Sequence, residues 1–357
     1  MKPDRARDGD AGAEGHPRER VLVTGSGGYI GTTLVPLLLE RGYAVRALDR
    51  FFFGRDLLAP HEHLEVVRED TRRIRPEHLA RVDHVIDLAA LSNDPTGETF
   101  GPTTWEVNHR ARARTSRLAK AARVRRYVLP SSCSIYGWQD PDKIVDETSP
   151  TQPLTTYAQA NLRAEEEVRP LAGDGFCVVV VRQATVYGCS PRMRFDLAIN
   201  GMTYGAWKTG RLPLMRDGTQ WRPMVHVMDA AEALAFMLTA PVERISGEIF
   251  NVGSEQNNYQ IGPLGRIVAD VLPRPVEIEW YGDPDERSYR VNFQKIEALG
   301  WHARRGAEDG AREVYEALEA GTLAWTPRTI TLEWYTRLVE WHRIIRETEL
   351  DGAMLEL

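Results

Sequence analysis

Val21-Leu22-Val23-Thr24-Gly25-Ser26-Gly27-Gly28-Tyr29-Ile30-Gly31 is an apolar run of strand type that feeds a glycine turn. The turn opens at once into a helical pattern carried by Leu34, Val35, Leu37, Leu38 and Leu39. Gly25, Gly28 and Gly31 take the spacing G-x-x-G-x-x-G. Glycine there permits a tight turn and lets the backbone approach a pyrophosphate with no Cβ in the way. The free N–H groups that follow, starting at Tyr29 and Ile30, and the positive end of the helix dipole then face the anion. Eighteen residues after Gly31, a second strand pattern beginning at Tyr43 ends in Asp49. A carboxylate at that distance accepts hydrogen bonds from a ribose diol and repels a 2′-phosphate, which favours NAD over NADP. Arg50, immediately after it, weakens that preference a little. Pro36 predicts a local kink in the first helix.

The chain has 357 residues, enough for a large core and two lobes. A net charge of −6 gives no basis for a nucleic-acid partner. Cys133, Cys177 and Cys189 are too few and too scattered for a disulfide framework or a metal site, and a reducing cytoplasm fits them. No apolar run approaches the length that crosses a membrane. Residues 1–19 are charged and glycine-rich and read as a disordered tail, and residues 346–357 as a frayed end. No internal repeat is visible.

In order along the chain, Leu64-Glu-Val-Val reads as a third strand leading to Asp70 and Thr71, and 82–88 as a fourth ending at Leu88-Ala89-Ala90. Small residues at a strand's carboxyl end let a flat cofactor lie close. A helix opens at Trp105-Glu-Val-Asn108 and runs to about 122. The fifth strand, Arg126-Tyr-Val-Leu-Pro130, leads to Ser131-Ser132-Cys133-Ser134-Ile135-Tyr136-Gly137, and Tyr157-Ala-Gln-Ala-Asn161 lies on the next helix. A hydroxyl at a strand end and a phenol on the following helix can both reach a substrate alcohol. Tyrosine ionises near pH 10, so a tyrosine base needs a positive charge beside it. The valine run 176–182 reads as a strand buried on both faces. The pattern predicts a doubly wound, mostly parallel α/β sheet with a smaller carboxy-terminal α/β lobe. The dinucleotide-binding part would span 20–188 with 225–253 returning to it, and the substrate lobe 189–224 and 254–345.

Thr24 to Gly31 resembles the T-G-x-x-G-x-x-G turn of the extended short-chain dehydrogenase/reductases, in their sugar-nucleotide epimerase and dehydratase branch. The resemblance implies a bound NAD contacted by the glycine turn, by Asp49 and Arg50, by Asp70 and Thr71 at the adenine, and by Leu88, Ala89, Ala90 and Ser131. It makes Asn108 an inward residue supporting the cofactor site. Matching Ile135-Tyr136-Gly137 to the family's V-Y-G places the catalytic hydroxyl at Ser132 and the catalytic tyrosine at Tyr157. The family carries a lysine four residues after that tyrosine; here Asn161 stands in its place. The resemblance makes Tyr157 and Asn161 cofactor contacts, the asparagine hydrogen-bonding the nicotinamide ribose without bringing a charge. The Asp and Glu that follow the hydroxyl residue in 4,6-dehydratases are Cys133 and Ser134 here. Thr185, in Gln183-Ala184-Thr185-Val186-Tyr187-Gly188, replaces a family asparagine, and Ser190-Pro-Arg-Met-Arg-Phe-Asp196 begins the smaller lobe. In Asp217-Gly-Thr-Gln-Trp-Arg222 the guanidinium is placed for the diphosphate of a nucleotide sugar, with Arg287 a second candidate.

What the resemblance implies is an NAD-dependent epimerase of a sugar nucleotide or related conjugate. It would work through transient oxidation to a keto intermediate, with the hydride returned from NADH. Tyr157 would take the hydroxyl proton while Ser132 and Ser134 hold the substrate. A non-standard dehydratase of a sugar or nucleoside, with Cys133 as acid/base, is the alternative. A non-catalytic NAD-binding protein is the second. Helices near 104–122 and 155–172 resemble the pair through which relatives form homodimers.

Overall fold

The computed structural model describes residues 18–140, 142–283, 285, 287–350 and 352. Seven parallel strands form the main sheet. They are β1 (Arg20–Thr24), β2 (Ala44–Asp49), β3 (Leu64–Arg68), β4 (His84–Asp87), β5 (Arg126–Ser132), and, beyond a short β6 (Ile144–Val145), β7 (Cys177–Gln183). The seventh, β11 (Glu248–Val252), follows β8 (Thr185–Tyr187), β9 (Arg211–Met215) and β10 (Trp221–His226) in the chain. The order across the sheet is β11-β7-β5-β4-β1-β2-β3.

Both faces of this sheet are covered, which is why its strands are nearly continuous in apolar residues. Side chains alternate between faces along a strand. Val179 and Val181 of β7 therefore join one buried cluster with Val21, Val23 and Val128. Val178 and Val180 join a second one with Leu22, Tyr127 and Leu129. Helices α1 (Gly31–Glu40) and, later in the chain, α7 (Val227–Phe236) pack together against the first cluster. Between them in sequence come α2 (Asp94–Thr99), α3 (Gly101–Thr104), α4 (Arg112–Ala121), α5 (Thr156–Val168) and α6 (Ala198–Thr209). Ala119 of α4 and Ala164 and Val168 of α5 cover the second cluster.

A separate, smaller core lies beyond β7. Tyr187, Leu212, Leu214 and Met224 from short strands meet Ile199 and Met202 of α6, Leu264 and Val268 of the helix Ile261–Val271, and Ala311 of the helix Ala307–Glu319. There β10 pairs in parallel with β8 and antiparallel with the strand Asn258–Gln260.

Several sequence expectations are adjusted. Helix α1 runs unbroken through Pro36, which lies on its exposed side. The helical stretch before α4 begins at Gly101 and passes through a wide π-type turn over Trp105–Ala111. Of the expected amino-terminal tail, 1–17 lies outside the described residues, but Glu19 belongs to the fold. Its carbonyl accepts Ala44 N–H at 3.0 Å and its carboxylate meets His84 and Arg125. At the other end the helix Thr331–Thr348 extends past the expected boundary at 346, and 351 and 353–357 lie outside the description.

The turn between β1 and α1 is a tight junction. A Cβ on Gly31 would lie 2.4 Å from the Gly25 carbonyl oxygen and 2.7 Å from Ser26 Cα. Those contacts are backbone, which cannot swing aside. Gly31→Ala is therefore expected to lower stability by about 2 kcal/mol or more, the scale of an overpacked core. Urea unfolding of the two proteins reads this directly.

Candidate active site

A single cleft crosses the carboxyl ends of the parallel strands, where open α/β sheets place their ligands. Its amino-terminal end is the glycine turn. Gly25 adopts φ +65°, and a Cβ there would come 2.7 Å from Ala89 N. Gly28 N–H donates to Gly25 O at 3.0 Å and closes the loop. Ile30 stands before α1 without a side-chain cap, so the helix end faces the cleft. Tyr29 also lines the cleft, and its phenol donates to Gly188 O at 2.5 Å, tying the turn to the smaller lobe.

Asp49 ends β2 inside the cleft. Its carboxylate accepts Gly27 N–H at 3.1 Å and Phe51 N–H at 2.6 Å, so part of its acceptor capacity holds the turn and part remains. Burial raises its pKa. Arg50 reaches Asp70 at 3.0 Å, and Arg72 grips the same carboxylate with Nε and Nη2. Burial pushes the Asp70 carboxyl up, but the arginine hydrogen bonds outweigh it and hold the pKa at about 2. Arg50 is thereby engaged by an acid rather than left to select a 2′-phosphate. Thr71, Leu88, Ala89 and Ala90 line the cleft beside these groups.

At the reactive end, β5 stays extended through Ser132 and delivers Ser131, Ser132 and Ser134 to the cleft. Ser132 Oγ accepts Ser134 N–H at 3.1 Å, which orients it. The Oγ atoms of Ser131 and Ser134 and Nε2 of Gln183 are buried without a protein partner. Thr155 caps α5 by accepting Ala158 N–H at 3.2 Å, which sets Tyr157 in the first turn. Tyr157 and Ser132 line the same end of the cleft. Burial raises the phenol's pKa; Arg112 acts most strongly against that rise. Thr185, Arg222 and Arg287 line the opposite wall.

Three expected site residues do not reach the cleft. Cys133 is 1% exposed, and its thiol points into the core, 3.3 Å from the Arg182 carbonyl, with its pKa pushed up by burial. A thiol so placed cannot exchange a proton with a bound substrate, so the acid/base role expected for Cys133 falls. Asn108 is fully buried. Its amide clamps Leu91 by accepting the N–H at 2.8 Å and donating to the carbonyl at 3.0 Å. It therefore shapes the loop after β4 instead of touching a ligand. Asn161 is 1% exposed, donating to Tyr157 O at 2.9 Å and accepting from Arg112 Nη1 at 2.7 Å.

Sequence reading also passed over groups that matter. Arg192 and Arg194, from the segment after β8, line the cleft. Arg192 lies 3.7 Å over the Phe53 ring and donates to Thr331, while its Nε and Nη1 have no protein partner. Arg194 is paired with Asp196 and donates to Ser92 at 3.2 Å. Asp285 sits between the two wall arginines, 2.7 Å from Arg222 and 2.6 Å from Arg287, and Arg287 also meets Asp94.

A family model described as the NAD dependent epimerase/dehydratase family matches residues 21–253. UDP-glucuronic acid decarboxylase 1 of Arabidopsis thaliana is 26% identical over 312 residues, spanning 83% of this chain and 69% of that one. MoeE5, solved in complex with UDP-glucuronic acid and NAD, is 27% identical with a TM-score of 0.75, covering 85% of this chain and 99% of that one. DesIV of Streptomyces venezuelae, a dTDP-glucose 4,6-dehydratase solved with NAD and TYD bound, is 27% identical with a TM-score of 0.74, covering 87% and 99%. The residues here fit NAD: a cradle that a Cβ would fill, a carboxylate at the end of β2, and a row of small residues after β4.

Because Cys133 faces the core, Cys133→Ala is expected to leave NAD affinity and turnover within about threefold, less than 1 kcal/mol of binding or barrier. Calorimetric titration with NAD and a rate assay check this; a loss of a hundredfold would return the thiol to the chemistry.

Proposed function

The chain belongs to the NAD-dependent epimerase/dehydratase family, with NAD as its cofactor, and from that premise we propose that it epimerises a sugar nucleotide through transient oxidation of a ring hydroxyl. The observation that carries this reading is that two hydroxyls, Ser132 and Tyr157, line one cleft together with the guanidiniums of Arg222 and Arg287. The glycine turn, Asp49 and the small residues after β4 would hold NAD, whose nicotinamide would supply reversible hydride acceptance, so that no net oxidation would result.

The protein's own part is proton handling and placement. Tyr157 takes the hydroxyl proton as the C–O bond becomes a carbonyl, and returns it when the alcohol re-forms. Ser132, held by the Ser134 N–H, donates a hydrogen bond to the same oxygen, and as charge develops on that oxygen the bond strengthens. The two guanidiniums of Arg222 and Arg287 suit the substrate diphosphate. Asp285, wedged between them, occupies the place an anion would take. The unpartnered Ser131, Ser134 and Gln183 atoms suit the hydroxyls of a sugar, since a buried polar atom left unpaired is costly.

Epimerisation is favoured over elimination of water by what stands beside Ser132. Position 133 holds a core-facing thiol and position 134 a serine, so neither supplies a carboxyl group to protonate a leaving hydroxyl.

Tyr157→Phe should lower turnover by about 10²- to 10⁴-fold while the substrate still binds, the usual contribution of a positioned acid/base. Mass spectrometry of the product from candidate sugar nucleotides decides the reaction: an unchanged mass supports epimerisation. Loss of water or of carbon dioxide overturns it.

A further inference from the structure

We propose that Arg112 is the positioning cation of the site: delivered from α4 and held by Asn161, its guanidinium supplies the positive charge that lets the Tyr157 phenol give up its proton. The proposal rests on Tyr157 acting as the base.

A phenol ionises near pH 10 in water, and burial makes its anion less favourable still. A base working near neutral pH therefore needs a fixed positive charge within a few ångströms. The side chain one turn after Tyr157 is Asn161, which carries none. Arg163 lies on the exposed side of α5 and is tied to Glu166 at 2.8 Å.

Arg112 comes from the neighbouring helix and is 3% exposed. Its Nη1 donates to Asn161 Oδ1 at 2.7 Å and its Nε to the Ala89 carbonyl at 3.2 Å, at the edge of the cleft floor. The Asn161 amide in turn donates to the Tyr157 carbonyl. The guanidinium is thus held by neutral acceptors alone. Among the described residues no carboxylate lies within ion-pairing distance of it.

The other charges around the phenol each have a partner among the described residues. Arg194 is forked onto Asp196. Asp94, the acid of α2 that works against ionisation, is held by Arg287. Glu98 of the same helix accepts from the Thr156 hydroxyl on the solvent side. Glu165, two turns along α5, is closed onto Arg182 at 2.7 Å. From β5 the cleft beside the phenol is lined by the uncharged Ser131 and Ser132. Asp87, the buried acid ending β4, is closed onto Thr24 and Tyr127, and of all the groups near Tyr157 Arg112 does most to favour the phenolate.

The test reads the phenol itself. With 3,5-difluorotyrosine placed at position 157, fluorine NMR follows its ionisation against pH in the full chain, without and with saturating NAD. Arg112→Gln should raise the midpoint by about one unit or more, the effect of removing a close opposite charge. Arg112→Lys, which keeps the charge, should raise it by less than half as much. The charge-swapped double variant, Arg112→Gln with Asn161→Lys, should bring it back to the wild-type position. The acidic limb of the kcat/KM profile should move with the midpoint, which a purely structural role would not require. An unmoved midpoint in a folded Arg112→Gln protein overturns the proposal. Should that variant fail to fold, the double variant decides: a wild-type midpoint supports the proposal and one more than about a unit higher overturns it. An active Tyr157→Phe enzyme would instead sink the reading of Tyr157 as the base. An inactive one with an unmoved phenol leaves that reading standing and removes only Arg112.

Discussion

The constraint on which this molecule depends is the contact between the glycine turn and the end of β4. Gly25 approaches the Leu88–Ala89 peptide so closely that no Cβ fits between them, and Gly31 sits as tightly under Gly25. Thr24 fastens the same junction, accepting Ala89 N–H at 3.1 Å and donating to the buried Asp87. Because β1 and β4 are neighbours in the sheet, this junction fixes where the start of α1 points relative to the floor formed by Ala89 and Ala90. The glycine-turn end of the cleft is consequently a product of backbone packing rather than of charged side chains.

From that junction the remaining strand ends follow in order across the sheet. Asp49 ends β2, Ser131 and Ser132 end β5, and Gln183 ends β7, all on the same edge because the strands are parallel. The smaller lobe closes the opposite wall through Arg192, Arg194, Arg222 and Arg287. Its arginines are already matched to local acids in three of these cases, Arg194 to Asp196, Arg222 to Asp285, and Arg287 to Asp285 and Asp94. An anionic ligand reaching Arg222 and Arg287 must compete with Asp285, so the wall is pre-formed but not unopposed.

Much of this was legible in the sequence, for reasons that are local. Glycine spacing and valine runs are decided by nearest neighbours, so the sheet and the turn could be read directly, whereas Ser132 and Tyr157 were singled out by their match to a family motif. What could not be read depends on side chains meeting from distant segments. Cys133 lies between two cleft-lining serines, and only the turn after β5 decides that its thiol goes to the core. Asn108 was correctly turned inward, but its partner is the Leu91 backbone, which no spacing rule reveals. Arg112 had a signal that went unused: it lies four residues after Asn108, where residues on a helix share a face. An inward Asn108 thus already implied an inward arginine in a stretch otherwise rich in solvated ones.

That arginine completes a pattern along α5. Tyr157, Asn161 and Glu165 succeed one another at four-residue steps on the side of the helix that faces the protein. Tyr157 shares the cleft lining with Ser132, Asn161 meets Arg112 and Glu165 meets Arg182. At the Glu165 step the charges are equal and opposite and both are buried. The pair there fastens the helix to β7 and leaves little field beyond itself. At the Asn161 step the helix side is neutral, so the guanidinium it meets keeps its charge. A carboxylate at 161 would hold Arg112 more strongly but would cancel the field one turn away at Tyr157. An amide holds the cation and leaves it uncancelled, and that difference is what turns a packing contact between two helices into a way of tuning a phenol.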